Sequence, residues 1–439
     1  MRLSDVPKLT SFDGNENVLL DKSGVFYSAS FDDVLGSMPD DRGVYPDTPL
    51  NRVRITRISG QKSTVVTLSG NVKLVAELLA MCFPCLVDRN AIVQAHLNGN
   101  DVRKTVDGLT ATLDDWTLQS MVRMGGWYKH YSYNAATNEK YFDYSPRKVK
   151  GYKYVRRRFV AMNAGTVESH DNVNMLISNS GKWSTQNVSP ANLHTYAKNL
   201  GENFREIAVQ DQEVYRDMFW LLKQTFNSQS IYRGLTEVSS SWWNAFSQAD
   251  NGGQGSYAQF CQTGYLNDVA GHEGQKSVTV SNGDSAVTMN ACKFLWIDYL
   301  LAGPYWIWAT GYVKKNHMWY KAKNIATVTG FDPTDTTKWE FLCNECESEG
   351  YILEDFEDTL IPSQVGGDAS KGHADYYYRA YAEGTVYIPA LVGSADPGGT
   401  CGVSPLNSHN VASFAYPYCG GALAADDPTD TIADGTVVA

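Results

Sequence analysis

Positive charge is scarce in this chain of 439 residues. Lysine and arginine together number 37, against 48 aspartate and glutamate residues, so the formal net charge is −11 at pH 7. A protein that binds nucleic acid needs a basic face to meet the phosphates. The one basic run, Arg156-Arg157-Arg158, is short and lies among tyrosines, which is typical of a solvated strand edge. We therefore expect no nucleic-acid partner.

Long hydrophobic runs are also missing. Nowhere do 18 apolar residues follow one another, whereas a helix that spans a membrane needs roughly 20. The most apolar stretch, residues 295–310, contains Asp298 and is expected to be a buried core segment. The first residues, Met1–Asp5, are not followed by the apolar core of a secretory signal. We expect synthesis in the cytoplasm, no membrane insertion, and any export by a route other than the general secretory pathway.

The histidines and cysteines show no strong metal-binding pattern. The eight histidines form no HxxxH pair, and each is expected to be an ordinary surface or core residue. Two CxxC pairs occur, Cys82–Cys85 and Cys343–Cys346, but zinc signatures are usually local and these pairs are far apart. We expect structural thiols and neither a metal nor another cofactor, with a shared zinc site or a redox pair as the alternatives.

Aromatic residues, by contrast, are abundant: they make up 12% of the chain and include 26 tyrosines and 11 tryptophans. Such a content is typical of β-rich folds and of binding surfaces. Alternating β-branched residues predict a strand over Val53–Ile58, and residues 72–86 predict a short helix. We therefore expect a mainly β domain over residues 1–115.

The sequence after residue 115 predicts a second, larger domain. Ser189-Pro190 and Gly201 bound a helix over residues 192–200, and an apolar stripe predicts another over residues 209–225. Beyond residue 230 the pattern indicates short strands and long loops. This domain is expected to cover residues 116–425 and to be followed by a flexible acidic tail over residues 426–439.

The segment over residues 393–423 combines glycines and small polar residues with scattered aromatics and has almost no charge. It is too aromatic for a disordered tail, and its residue types are those that adaptable binding surfaces use. We expect an ordered, loop-rich recognition surface in which the two tyrosines contribute most. The candidate binding residues, all expected to be exposed and clustered, are Ser394, Asp396, Pro397, Thr400, Ser404, Asn407, His409, Tyr416 and Tyr418.

Five motifs, in this order along the chain, carry a resemblance to a known family. They are Trp127-Tyr128-Lys129 with Tyr152-Lys153 and Phe159; Ser180-Gly181-Lys182 to Asn199-Leu200-Gly201; Phe219-Trp220-Leu221-Leu222; Thr225-Phe226-Asn227-Ser228-Gln229 with Gly234; and Gly393, Gly398, Cys401-Gly402, Leu406-Asn407, Ser413 and Gly420. The block from 121 to 424 resembles the phage C-type-lectin-fold variable proteins of diversity-generating retroelements, which include receptor-binding tail proteins of the major-tropism-determinant type. Ala395 and Ala422 stand where the family usually has tryptophan and arginine, so active diversification stays an open question.

The resemblance implies an α+β chain with a C-type-lectin fold: two helices, short antiparallel strands and long ordered loops. The N-terminal β-rich domain would then attach the protein to the virion and oligomerise it. The implied function is recognition of a host-cell surface receptor, protein or glycan, by a tail or fibre protein of the virion. The implied partners are other virion tail proteins and two further copies of the chain in a homotrimer, and no catalytic residue is expected.

Several alternatives remain beside this hypothesis. A virion structural or decoration protein of the same fold would have no receptor role. An oxidase of the formylglycine-generating type shares the fold and would use Cys401 or Cys419, but neither has a basic neighbour to lower its pKa. The acidic residues between 345 and 358 are expected to form a solvated loop, with a pair of hydrolytic carboxylates or a calcium site as the alternatives.

Overall fold

The structure is a computed structural model, and it describes residues 17–19, 28–30, 38–60, 63–237, 260–282, 285–303, 305–368, 370–393 and 401–439. Within these ranges the chain is mainly β, with three α-helices. The expectation of a mixed α+β chain rich in strands is confirmed. No helix in the described part of the chain has both the length and the apolar character that crossing a membrane requires.

The helices are α1 (Leu74–Ala80), α2 (Pro190–Leu200) and α3 (Val209–Lys223). The strands are β1 (Asn17–Leu19), β2 (Ser28–Ser30), β3 (Val53–Ile58), β4 (Thr67–Gly70), β5 (Phe83–Val87), β6 (Val93–Asn98), β7 (Asp101–Thr105), β8 (Gln119–Met124), β9 (Trp127–Asn134), β10 (Glu139–Ser145), β11 (Lys153–Val155), β12 (Arg158–Ala161), β13 (Thr166–His170), β14 (Val173–Ile177), β15 (Phe204–Glu206), β16 (Glu273–Asn282), β17 (Ser285–Phe294), β18 (Trp306–Trp308), β19 (Tyr312–Lys315), β20 (Met318–Ala322), β21 (Trp339–Asn344), β22 (Gly350–Asp355), β23 (Pro362–Val365), β24 (Tyr376–Arg379), β25 (Val386–Leu391), β26 (Leu406–Asn410), β27 (Cys419–Gly420) and β28 (Leu423–Asp426).

Three large sheets organise the described residues. The five-stranded sheet has the order β11-β9-β10-β3-β4, and the seven-stranded sheet has the order β15-β28-β12-β8-β5-β6-β7. The ten-stranded sheet follows the path β21-β20-β19-β25-β26-β24-β22-β23; off this path, β18 pairs with β25, and β27 pairs with β18. Separate ribbons form from β1 with β2, β13 with β14, and β16 with β17.

The boundary expected at residue 115 falls inside two of these sheets. Strand β3 pairs with β10, and β5 pairs with β8, so segments from both sides of residue 115 share hydrogen-bond ladders. One continuous group of buried apolar side chains extends from Val53 to Ala425. Residues from both expected domains therefore contribute to the same main core.

Of the two longer helices, α3 begins at its predicted residue, and α2 begins two residues before its predicted start, at the proline of the predicted signal. Pro190 opens α2, and the Ser189 hydroxyl accepts a hydrogen bond from Asn192 N at 3.3 Å, as an N-cap should. At the start of α3, the Asp211 carboxylate accepts from Ala208 N at 2.8 Å. Helix α3 differs from its predicted one-sided stripe, because Glu213, Arg216 and Asp217 are buried along with the apolar residues. Elements pack around the whole helix, and ion pairs compensate its buried charges.

Residues 426–438, expected to be a flexible acidic tail, lie against β11 and β12; we call them the C-terminal strap. Tyr154 N donates to Thr436 O and Val438 N donates to Tyr152 O, both at 2.8 Å, so the strap extends the edge of the five-stranded sheet. Asp434 accepts from Arg158 Nη2 at 3.0 Å. The basic run was expected to be a solvated edge, but aspartates of the strap cover it.

Candidate functional site

Part of the predicted recognition segment is a strand inside the ten-stranded sheet. Strand β26 lies between β25 and β24, and it runs parallel to β24 with Tyr378 opposite Asn407 and Arg379 opposite Ser408. A polar sequence such as Leu406–Asn410 does not resemble a central strand, and its place there depends on partners that are distant in sequence. The segment is thus more regular than the loop-rich surface that the sequence predicts.

The nine candidate binding residues fall into three groups: those outside the described residues, those at least partly exposed, and those that are buried. Ser394, Asp396, Pro397 and Thr400 lie outside the described residues, so their exposure stays a prediction. His409 and Tyr416 are exposed, and Tyr418 is half-buried.

The prediction of exposure is wrong for Ser404 and Asn407, which are 0% and 7% exposed. Ser404 N donates to the buried Asp375 carboxylate at 2.8 Å, which draws this residue into the core. The Asn407 side chain accepts from His409 N at 2.9 Å within its own strand. Both positions therefore support the surface from below rather than presenting side chains for binding.

A group of aromatic side chains lies around the predicted tyrosines, and we call it the aromatic surface: Phe414, Tyr416, Tyr418, Trp306, Tyr378, Tyr376 and Tyr351. Ring centroids are 4.5 Å apart for Tyr376 and Tyr378 and 5.2 Å apart for Tyr351 and Tyr376. The Trp306 ring meets Tyr378 edge-on at 5.7 Å. Because alternate residues of a strand share a face, the tyrosine run on β24 places Tyr376 and Tyr378 together and directs Tyr377 to the opposite side.

The second half of the aromatic surface comes from the C-terminal segment. Tyr416 lies 4.4 Å from Tyr418 between ring centroids and stacks on Phe414 at 5.7 Å. Trp306 N donates to Tyr418 O at 2.9 Å, which joins the two halves. Trp306 is nearly buried and forms the floor, whereas the tyrosines are half-buried or exposed. This partial exposure leaves ring faces and hydroxyl groups accessible on a firm base.

Charged groups lie at one side of the aromatic surface. The His409 ring lies 6.1 Å from the Tyr378 ring, and its Nε2 lies 3.8 Å from Glu349 Oε2. Glu349 also accepts from Arg379 N at 3.3 Å. Partial burial, followed by the charge of Glu349, raises the pKa of Tyr376. A ligand at this edge would meet a carboxylate and an imidazole beside the aromatic rings.

A buried polar cluster holds the strands beneath this edge. Glu345 accepts from Lys314 Nζ at 2.5 Å and from Tyr377 OH at 2.6 Å, and Lys314 also donates to Ser408 Oγ at 2.7 Å. Burial lowers the pKa of Lys314 to about 8. Burial alone would raise the pKa of Glu345, but the hydrogen bonds from Lys314 and Tyr377 lower it below its usual value. The cluster ties β19, β24 and β26 together and fixes the position of the rings above them.

The acidic residues between 345 and 358 were expected to form a solvated loop, and this is wrong for three of them. Glu345, Glu354 and Asp355 are buried and paired: Lys140 Nζ lies 2.9 Å from Glu354, and His373 Nε2 lies 3.0 Å from Asp355. These partners come from distant parts of the chain, so no local pattern could reveal them. Across the described ranges, no group of three or more His, Cys, Asp or Glu residues is placed to hold a metal ion.

The cysteines offer little for nucleophilic chemistry. Cys401 and Cys419, the candidates for an oxidase, are both buried, and burial raises the pKa of Cys419 well above its ordinary value. A reactive cysteine needs the opposite shift, which stabilises the thiolate. The CxxC pairs lie in different sheets, since Cys85 is on β5 and Cys343 is on β21.

Comparison with known proteins finds neither a matching family model nor a matching curated protein. The aromatic surface must therefore be interpreted from its own geometry. Sequence reasoning located its C-terminal half but missed Tyr351, Tyr376 and Tyr378. The signal for the last two was present as the run Tyr376-Tyr377-Tyr378-Arg379, which is typical of a strand with aromatic side chains on both faces.

Proposed function

We propose that this protein is a non-enzymatic receptor-binding protein of a phage virion and that the aromatic surface contacts a receptor on the host cell. The observation that supports this function best is the aromatic surface itself, whose rings form two contact series joined at Trp306. Tyrosine and tryptophan give large, rigid contact areas at low cost in conformational entropy, and they dominate the energetics of many interfaces. The charged edge at Glu349 and His409 would add specificity.

The proposal includes a C-type-lectin fold for residues 116–425. Two helices, α2 and α3, precede a long region of strands and irregular segments, in keeping with the family resemblance. A firm scaffold of this kind tolerates sequence change in exposed segments. The aromatic surface combines such segments with strands of the ten-stranded sheet.

Assembly as a homotrimer on the tail or a tail fibre, with contacts to other virion proteins, is the remaining part of the proposal. Closed symmetry is the usual arrangement of homo-oligomers, and several copies would raise the avidity for a receptor that each copy binds weakly. Light scattering should give the mass of three chains of 48.6 kDa each. The mass of one chain across micromolar concentrations would contradict the trimer.

The test of the binding function compares tyrosines on and off the aromatic surface. Tyr376→Ala and Tyr416→Ala each remove a ring from it, whereas Tyr133→Ala removes an exposed ring from β9 in another sheet. We expect the first two variants to reduce adsorption of the labelled protein to host bacteria by about tenfold or more, as loss of a central aromatic contact does. The Tyr133 variant should adsorb normally.

Adsorption is measured by flow cytometry, and competition with intact phage shows whether protein and virion use the same receptor. Circular dichroism and thermal unfolding establish that each variant is folded. If the Tyr376 and Tyr416 variants adsorb like the unchanged protein, the aromatic surface is not the receptor site. If the unchanged protein neither adsorbs nor competes, the function as a structural or decoration protein of the virion replaces this proposal.

A further inference from the structure

The ten-stranded sheet has two edges, and both lie at the same groove. Its path begins at β21 and finishes at β23, and neither strand has a further strand beside it within the described ranges. Cys343 and Asn344 of β21 and Ser363, Gln364 and Val365 of β23 line one groove of about 570 Å³. The sheet therefore curls until its ends face each other across an open seam, which we call the seam groove.

Edge strands of this kind carry backbone N–H and C=O groups that can pair with another chain. Natural proteins usually cover such edges or make them unsuitable for pairing. Here the edge strand β21 presents Phe341, which is 56% exposed, and the groove adds the apolar side chains of Phe356 and Val365. The seam groove thus offers both backbone pairing and apolar contacts.

One end of the seam groove is held firmly. The chain crosses from β21 to β22 through residues 345–349, and the buried Glu345 anchors this crossing to Lys314 and Tyr377. Arg379 Nη1 donates to Glu347 O in the same crossing. A groove whose walls are already fixed loses little conformational entropy on binding.

The size of the seam groove suits a short extended segment. Neighbouring strands lie about 4.8 Å apart, packed layers about 10 Å apart, and each residue advances about 3.3 Å, so one extended residue needs roughly 160 Å³. A groove of about 570 Å³ accommodates about three or four such residues. This length matches the four residues of β23, Pro362–Val365.

The charge at the seam groove is negative. Glu347 lines the groove, and Cys343 is part of its wall. Burial, and after it the negative charge of Glu357, raises the pKa of the Cys343 thiol to about 12, so Glu357 also lies close to the groove. Glu347 and Glu357 are both exposed, and neither carboxylate forms an ion pair with any described residue. A second copy of a chain with a net charge of −11 is a poor match for this edge, whereas a basic segment is a good one.

We propose that the seam groove binds an extended, lysine- or arginine-containing segment of a partner protein, which adds a strand between β21 and β23. Main-chain hydrogen bonds would supply affinity, alternate side chains would meet Phe356 and Val365, and basic side chains would meet Glu347 and Glu357. The residues that line this site are not those of the aromatic surface, and the proposal does not depend on the receptor-binding function.

The test uses the full chain and a labelled, acetylated hexapeptide that alternates lysine and valine, with fluorescence anisotropy as the readout. The double variant Glu347→Lys, Glu357→Lys should bind this peptide at least about tenfold more weakly, because two attractive charges become repulsive. Glu383→Lys changes an exposed glutamate that does not line the groove, and it should bind normally. A peptide with N-methyl groups on alternate residues keeps its charge but cannot complete the backbone ladder, and it should bind weakly.

Hydrogen exchange gives a second readout. Peptide binding should slow amide exchange in residues 339–344 and 363–365 and leave β16 and β17 unchanged. Equal affinity for the N-methylated peptide, or unchanged exchange at both edges, would overturn the added-strand proposal. If light scattering gives a larger assembly for the unchanged protein than for the charge-reversed variant, the occupant is a second copy of this chain, which also overturns it.

Discussion

The sheet edges at β11, on one hand, and at β21 and β23, on the other, differ in whether another segment covers them. The edge at β11 is covered by the C-terminal strap, which pairs Lys153 with Val437 and satisfies the backbone of Tyr154. The edges at β21 and β23 face an open groove instead. Because an uncovered edge invites association, the difference indicates that the covered edge contributes to stability and the open one is available for binding.

The largest expected effect lies beneath the strap, in the buried pair of Arg205 and Asp211. Arg205 Nη1 lies 2.5 Å from Asp211, and Arg205 Nη2 lies 3.3 Å from Asp426 in the strap. Arg205→Met should lower the free energy of unfolding by about 3 kcal/mol, because it leaves a buried carboxylate undercompensated. Urea unfolding measures the loss.

The matched control is Arg103→Met, which breaks an exposed pair with Asp101. That pair lies at the surface, so its loss should cost less than about 1 kcal/mol. Similar losses in the two variants would show that the strap is not anchored by buried charge.

As the pH falls, interactions at the ten-stranded sheet should lose their stabilising effect before those of the C-terminal strap do. Burial, opposed by Asp355, lowers the pKa of His373 from 6.5 to about 4. As the pH falls, His373 is protonated in the unfolded chain before it is protonated in the folded protein. The stability due to neutral His373 is therefore present above pH 6.5 and is lost as the pH falls toward about 4. The loss should reach about 3 kcal/mol.

The strap depends on carboxylates, whose ordinary pKa lies well below that of histidine. Burial alone would raise the pKa of Asp430, but the hydrogen bonds from Arg157 N and from Tyr154 lower it. The stability that ionised Asp430 contributes is therefore lost only as the pH falls below the ordinary value of 3.8. A plot of the free energy of unfolding against pH should therefore have a flatter slope between pH 7 and pH 4 in the His373→Gln variant. The Asp430→Asn variant should keep the slope of the unchanged protein in this range. An unchanged slope in the His373 variant would contradict this assignment.

Removal of residues 431–439 should convert the covered edge into an open one. The truncation loses the strap's backbone hydrogen bonds to β11, including those at Tyr154 and Tyr152. We expect the free energy of unfolding to fall by roughly 2 kcal/mol, because each such hydrogen bond contributes about 1 kcal/mol net and ordering the strap has an entropic cost. Self-association measured by light scattering should rise, and an unchanged, monodisperse profile would show that the strap does not protect the edge.

The smallest effects on stability are expected in the aromatic surface. Tyr416 is 39% exposed, and Tyr416→Ala should cost less than about 1 kcal/mol. Tyr418 packs against the main core and against a smaller buried group that includes Leu235, Phe260 and Leu266, so Tyr418→Ala should cost about 2 kcal/mol. Thermal unfolding of both variants compares the two positions, and equal values would show that Tyr418 does not support the core.

The sequence could predict features that depend on near neighbours. The N-cap at Ser189 and the first-turn proline Pro190 placed α2, and the alternation in Val53–Ile58 placed β3. The pairing of Arg156–Arg158 with the strap joins positions that are far apart in the chain, so the basic run was mistaken for a solvated edge.

In the candidate site, too, the features that could not be predicted depend on contacts between residues that are far apart in the chain. Small polar residues in a glycine-rich segment predicted exposure, yet Ser404 is buried because it donates to Asp375 from another part of the sheet. The aromatic residues were a better guide, since Tyr416 is exposed and Tyr418 half-buried as part of a larger group of rings. The tyrosines of β24 joined that group only through the parallel pairing of β24 with β26.

The position of β28 has a consequence for how the protein is made. In the seven-stranded sheet, Ala425 pairs with Phe159 of β12 on one side and with Phe204 of β15 on the other. Contacts over such long sequence separations form slowly. A ribosome must therefore deliver residues 423–426 before this sheet can close, and until then β12 and β15 emerge as unprotected edges. During translation, molecular chaperones that shield nascent strands would be most needed in this interval.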